Sequence, residues 1–418
     1  MWTAIKSVFS LLLSYGLLMV ANAMFGTLLG LRSKLEGFST EITGVIMAGF
    51  FIGMLLGALY AVRVVASAGH IRSFAAFASV MSVAVLAHVL IIHPVTWFCL
   101  RAIAGFCMAG MVMIVESWIN ERSTNANRGQ VLSLYMTTNY LGAGCGQFMI
   151  TVANPASFQL FSIASIIFSI ALVPILLTRA TAPKPSVPER MKFRSLIGIS
   201  PVGVLGTLIA GLTNSALNSM GPIFGASIGL SLSQISTFMA SILIGGMLLQ
   251  FPVGRLSDHF DRRTILIFAA IATGICSLAI VWAADKSHIT TLILVCMVYG
   301  GFCYTVYPMS AAQVNDLADQ DRLVQVSAGL LLAYGSGASL GPILASQVMG
   351  IVGPNGLFYY ITTCSALLTL FTILRIIQRP SGRQKADFLP LGSLGTSSKQ
   401  LYSTVQVSLS KEKTDDDE

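Results

Sequence analysis

Arg101 and Glu116 are the only formal charges set well inside a long apolar run of this 418-residue chain, the run from about 96 to 119. A carboxylate held among apolar side chains is a candidate for proton exchange, and a guanidinium there needs an anion or backbone carbonyls in place of water. Fifteen residues separate them, about 22 Å along a helix, so they cannot pair. Glu116 is instead placed to join Arg128 or Arg72 in a gating network, and Arg101 to meet an anionic solute, a proton pathway or backbone carbonyls. Uncharged hydrogen-bonding side chains stand in similar apolar surroundings: Asn22, Asn139, Tyr140, Gln147, Asn214, Asn218, Tyr307 and Tyr334. With Met108, Met111 and Met113 they predict a site of neutral polar groups with soft apolar walls.

Charge is concentrated in Gly254-Arg255-Leu256-Ser257-Asp258-His259-Phe260-Asp261-Arg262-Arg263. Gly254 permits close helix approach, and Asp258 can accept hydrogen bonds from the N-terminus of a facing helix. Arg262 or Arg263 can pair with Asp316 or Asp319. Enzyme chemistry is poorly served by comparison. Gly337-Ala338-Ser339-Leu340-Gly341 matches a hydrolase nucleophile elbow, but that motif needs a strand-turn-helix context and here it lies inside an apolar run. The five His are scattered, and the seven Cys fall in apolar runs with no C-x-x-C pair, so no metal, no other cofactor and no catalysis are expected.

The elements that must carry these residues follow from composition. Hydrophobic residues make up 55% of the chain and charged residues 10%, where soluble domains average about 25% charged. Mean hydropathy is +0.78. Apolar runs of about 20 residues suit helices crossing a bilayer, and are too long and too evenly apolar for barrel strands. Twelve are predicted, near 8–30, 42–65, 73–92, 96–119, 130–153, 156–178, 199–224, 233–253, 263–284, 290–313, 324–349 and 356–377. The first resembles a signal peptide up to Ala21-Asn22-Ala23 but continues to Leu31, long enough to span.

With the N-terminus cytoplasmic, 21 of the 25 basic residues fall on inner loops and tails and three on the outer side. The positive-inside rule then puts both termini in the cytoplasm. The net charge of +8 is spread beside the apolar runs, which argues for a membrane and against nucleic acid. Residues 181–198, Pro-rich and basic, read as a cytoplasmic linker between helical bundles at 1–180 and 199–380. Residues 381–418 are polar, end in acidic residues, and are expected to be a disordered cytoplasmic tail.

The two bundles repeat one another. Gly37-Phe38-Ser39 returns as Gly229-Leu230-Ser231, Asn22 as Asn214, Gly53-Met54-Leu55-Leu56 as Gly246-Met247-Leu248-Leu249, and Gly105-Phe106-Cys107 as Gly301-Phe302-Cys303, at offsets of 192 to 196. Gly142-x-x-x-Gly146 returns as Gly337-x-x-x-Gly341, small residues whose spacing predicts tight helix crossing. A parallel repeat of this kind implies a solute site between the halves near the midplane.

At Gly254 to Arg263 the chain resembles the major facilitator superfamily, whose signature is G-x-L-x-D-R-x-G-R-R. It departs at His259 and Asp261, and the corresponding first-half loop keeps only Gly69 and Arg72. Together with Glu116-Ser117, Asn127-Arg128-Gly129 and Tyr307-Pro308, the motifs look most like the YcaD-type bacterial branch. Gly142-x-x-x-Gly146 and Gly337-x-x-x-Gly341-Pro342 resemble fragments of the family's antiporter motif, the first without its Pro. The resemblance implies an all-α membrane fold of two six-helix halves and secondary transport of a small organic solute by alternating access, with proton coupling as one option. It implies a multi-pass monomer in a bacterial cytoplasmic membrane, and Gly254, Arg255, Asp258, Arg262, Arg263 and Arg128 as a cytoplasmic latch. Competing readings are a transporter-like sensor, which would want an appended signalling domain, and an intramembrane enzyme, which would want paired acids or a metal cluster.

Overall fold

Caps and breakers set the helix ends in the computed structural model, which describes residues 2–123, 127–177, 193–285, 288–319 and 322–378. The helices are α1 (Trp2–Leu35), α2 (Thr40–Ala68), α3 (His70–Leu90), α4 (Pro94–Arg122), α5 (Arg128–Met149), α6 (Gln159–Ile170), α7 (Val173–Leu176), α8 (Phe193–Ile199), α9 (Pro201–Ser227), α10 (Leu232–His259), α11 (Arg262–Asp285), α12 (Ile289–Cys303), α13 (Val306–Asn315), α14 (Leu323–Val352) and α15 (Gly356–Gln378). No strand occurs among the described residues.

The repeat is visible in how the helices begin. Ser39 caps α2 by accepting from the Ile42 N–H, and Ser231 caps α10 by accepting from that of Gln234, whose side chain returns the bond. Each cap follows a glycine at positive φ, Gly37 at 77° and Gly229 at 83°, a conformation open to glycine at little cost.

Packing repeats as well: α2 lies on α4 as α10 lies on α12, α1 on α5 as α9 on α14, and α3 on α6 as α11 on α15. The first pair is set by glycine. A Cβ on Gly53 would overlap the Ala102 carbonyl and one on Gly105 that of Phe50; likewise Gly245 faces the Met297 carbonyl and Gly300 that of Ile242. The structural partners of Gly53 and Gly105 are therefore Gly245 and Gly300, one residue earlier than the sequence match at Gly246 and Gly301. Gly142 and Gly146 bring α5 onto the α1 backbone at Gly16 and Val20, and Gly337 and Gly341 bring α14 onto α9 at Leu208 and Leu212.

Among the described residues ten helices, with α6–α7 and α12–α13 each counted as one, are long and apolar enough to cross a membrane. The other two of the predicted twelve, α5 and α9, fall short in apolarity because they carry Asn139, Tyr140 and Gln147, and Asn214 and Asn218, toward the middle of the bundle. Exposed apolar side chains such as Val83, Ile166, Ile275 and Leu370 coat α3, α6, α11 and α15 on the outside, where lipid tails would lie.

Two details depart from expectation. The end of the predicted linker is helical, because Leu196 of α8 is fully buried against Gly329 of α14. The tenth predicted span is two helices, broken at Tyr304–Thr305. Pro308 has no N–H to give the Tyr304 carbonyl, and Gln250 of α10 supplies a donor instead, its Nε2 lying 3.3 Å from that oxygen. The linker residues 178–192 and the tail from 379 lie outside the described residues.

Candidate functional site

Between α1, α2, α4 and α5 on one side and α9 and α10 on the other lies a cavity of 60 Å³. Its polar lining is Asn22, Thr27, Arg101, Gln147, Asn218 and Ser219; its apolar lining includes Met19, Met47, Phe50, Phe51 and Leu243. Three of the predicted solute-binding residues, Asn22, Arg101 and Asn218, thus meet at one place, with Gln147 beside them. Gln147 is held by Thr27, whose hydroxyl donates to its Oε1 at 2.7 Å. Asn218 donates to the Asn214 carbonyl at 2.8 Å and accepts from the Tyr304 hydroxyl at 3.3 Å.

The other predicted residues stand behind this lining. Asn139 donates to Tyr15 Oη at 2.5 Å within the α1–α5 contact. Tyr140 donates to Gln250 Oε1 at 3.2 Å, joining α5 to α10 across the halves. Asn214 accepts from Cys303 Sγ at 3.2 Å, while Tyr307 and Tyr334 pack ring against ring at 4.9 Å. Met108 and Met111 are buried in helix packing, so the cavity's sulfur comes from Met19 and Met47. Those two, with Phe50 and Phe51, carry no sign in the sequence that separates a cavity wall from a lipid-facing surface.

Arg101 is 3% exposed. Its guanidinium sits over the Phe50 ring at 4.5 Å and the Phe25 ring at 5.5 Å, while Nε and Nη1 are buried with no hydrogen-bond partner. Glu116, also buried, accepts from the Tyr135 hydroxyl at 2.6 Å. Tyr135 in turn stacks on Tyr15 at 4.3 Å, so a polar thread runs from Glu116 through two tyrosines to Asn139. Arg72 is exposed and is not part of it. The nearby position is taken by His70, whose Nε2 is 3.3 Å from Ser117 Oγ.

At the charged motif, Gly254 is buried and Arg255 exposed near the end of α10, and Arg128 opens α5. Asp258 lies on the last turn of α10, and its side chain is outside the described residues. Arg262 pairs with Asp316 at 2.5 Å and reaches Ser257 Oγ at 3.3 Å, as predicted for that arginine. Arg263 turns back to Asp261 at 3.2 Å. The same Asp261 accepts from the Arg263 backbone N–H at 2.9 Å and so caps α11. The residue that departs from the family signature therefore does local work that glycine could not.

At the opposite end the two halves touch closely. Gly44 of α2 packs on Ser346 of α14, Gly350 on Glu41, and Gly30 of α1 lies against Ile223 of α9. Lys34 Nζ donates to Ser227 Oγ at 3.0 Å. The helices thus surround a narrow cavity of mixed polar and apolar lining, with close contacts at the end that carries Ser39 and Ser231.

A family model described as Major Facilitator Superfamily matches residues 11–202 and again 203–407. The chain is 28% identical to a protein of Escherichia fergusonii named "Uncharacterized MFS-type transporter YcaD", over 85% of this chain and 92% of that one. It is also 28% identical to the Escherichia coli protein of the same name, over 89% and 97%. In fold it is similar to a mutant of the nucleoside transporter NupG, with a TM-score of 0.73 at 14% identity over 87% of this chain and 98% of that one. It is also similar to a bacterial homologue of the human lysosomal transporter Spinster, described as inward-facing and unoccupied, with a TM-score of 0.64 at 13% identity over 98% of each.

Proposed function

The chain belongs to the Major Facilitator Superfamily, and from that premise we propose that this membrane transporter is a secondary active carrier moving a small organic solute by alternating access. The observation that carries the reading is the cavity where Asn22, Arg101, Gln147 and Asn218 converge from both halves. Its 60 Å³ is room for about two waters, so a solute enters only as the halves separate. The small-residue contacts at Gly30, Gly44 and Gly350 form an interface that can part without stripping buried charge.

In this reading there are twelve spans, arranged as bundles at 1–180 and 199–380, with both termini in the cytoplasm of a bacterium and the Ser39 end outside. Arg262 and Asp316 anchor the inner end of α11 next to the latch residues Gly254, Asp258 and Arg128. Glu116 and the Tyr135–Tyr15 pair form the proton-coupling element, because they are the one buried carboxylate thread among the described spans.

The test is reconstitution into liposomes with an imposed pH gradient and a screen of labelled solutes. Gradient-dependent accumulation that Glu116→Gln uncouples is the expected result. Flux identical with and without the gradient removes proton coupling, and no flux of any solute from protein shown to be folded removes the transport reading.

A further inference from the structure

We infer that the cavity takes the carboxylate of a small, otherwise apolar solute on Arg101. The inference deepens the transport reading and rests on it. A guanidinium has a π-compatible face and an edge of five N–H donors. Here the face is occupied by Phe50 and Phe25, while Nε and Nη1 on the edge are buried with no partner. Burying a charge so incompletely answered is costly, and a carboxylate, which brings the missing counter-charge and accepts charge-assisted hydrogen bonds from the guanidinium edge, is the ligand that answers it.

The surroundings agree. No carboxylate lines the cavity, so Arg101 has no internal counter-ion there. Glu116 is used by Tyr135 and lies fifteen residues away along α4, about 22 Å and well beyond contact. From α3 the facing group is His88, whose Nδ1 is 2.7 Å from the Ala84 carbonyl and whose ring meets the Phe25 edge at 5.2 Å; it adds no negative charge. From α5 and α9 the facing groups are the neutral Gln147 and Asn218. Asn22 of α1 lines the same space and makes no hydrogen bond of its own among the described residues. Phe51, Met47 and Leu243 complete the wall, which suits a hydrocarbon or aromatic body and gives a second charge no partner.

A structural role for Arg101 and an anion-binding role make opposite forecasts. If the guanidinium held helices together, removing it would lower stability. If it waits for an anion, Arg101→Gln relieves an unanswered buried charge, and the ligand-free protein melts no lower than wild type.

The experiment is thermal unfolding of the full chain in detergent, for wild type, Arg101→Lys and Arg101→Gln. The probes are benzoate and phenylacetate, their neutral amides, and inorganic phosphate. The expected result is that at least one carboxylate raises the wild-type midpoint and its amide does not. Arg101→Lys keeps part of the response, and Arg101→Gln weakens the fitted affinity by about thirtyfold or more. Equal shifts from acid and amide, a response to phosphate alone, a response that survives in Arg101→Gln, or a clearly less stable ligand-free Arg101→Gln would each overturn the assignment. Flux in liposomes separates the two readings. Carboxylate flux undiminished in Arg101→Gln leaves transport standing and removes the anion site, whereas carboxylate binding with no flux of any solute does the reverse.

Discussion

Arg101 and Glu116 share a helix and differ in how their charge is answered. Glu116 accepts from a hydroxyl at 2.6 Å, whereas two of the Arg101 nitrogens find no acceptor. Tyr135→Phe removes the donor and leaves a buried carboxylate oxygen short of a partner, so it should destabilise by about 1.5–3 kcal/mol. Glu116→Gln, which keeps an acceptor and loses the charge, should cost less, and thermal unfolding of the two variants side by side checks the order. Arg262 and Asp316 make a second test, their side chains being 1% and 9% exposed. Arg262→Ala takes the buried cation away from Asp316 and should cost about 3–5 kcal/mol. Replacing both by Met and Leu should recover most of that, and a double-mutant cycle on denaturation midpoints reads it. Asn22, Arg101 and Asn218 were legible in the sequence because a polar group in an apolar run needs a reason to be there. Phe50, Phe51, Met19 and Met47 were not, since an apolar side chain on an apolar helix reads the same toward lipid or cavity. Nor was the turn of Arg263 toward Asp261, which depends on a cap formed only once α11 begins at Arg262.

Among the helices, the decisive quantity is how closely backbones approach. The α2–α4 and α10–α12 crossings each put a glycine from both partners against a carbonyl. A methyl or isopropyl group has no room there, and the obstacle is main chain that cannot rotate away. Gly105→Val or Gly300→Val should therefore cost more than the roughly 1–3 kcal/mol of ordinary overpacking, seen as loss of the monodisperse peak in size-exclusion chromatography. Gly144→Ala, where no atom lies within reach of an added Cβ, is the matched control and should behave as wild type. Helix order and approximate ends were legible from the length of the apolar runs, because span length is fixed by the bilayer. The break at Tyr304–Thr305 was marked only by Pro308, and what bridges it was not, because Gln250 is 54 residues away in sequence. Gln250→Leu should leave the Tyr304 carbonyl and the Tyr140 hydroxyl each without this partner, lowering stability by about 1–3 kcal/mol on the same thermal assay.

At the scale of the molecule, the repeat places equivalent helices in equivalent contacts, and the two halves then meet through α1 with α9, α2 with α14, and α5 with α10. An interface built from the same elements of two similar bundles has a natural rocking axis, because separating one end presses the other together. The Ser39 end is the closed one here, with Lys34 of α1 bonded to Ser227 of α9 at 3.0 Å. If the carrier works by rocking, a covalent tie at that point stops it with the halves joined there. Lys34→Cys combined with Ser227→Cys, in a background without the exposed Cys99 and Cys145, gives a pair for a short bis-thiol cross-linker. Complete cross-linking should abolish flux in liposomes while leaving the thermal midpoint unchanged or raised, and either single cysteine with the same reagent should transport normally. A cross-linked protein that still carries solute at the uncross-linked rate would mean that this end never opens during the cycle. The path would then have to run between helices of one half, where the glycine crossings leave no room for it.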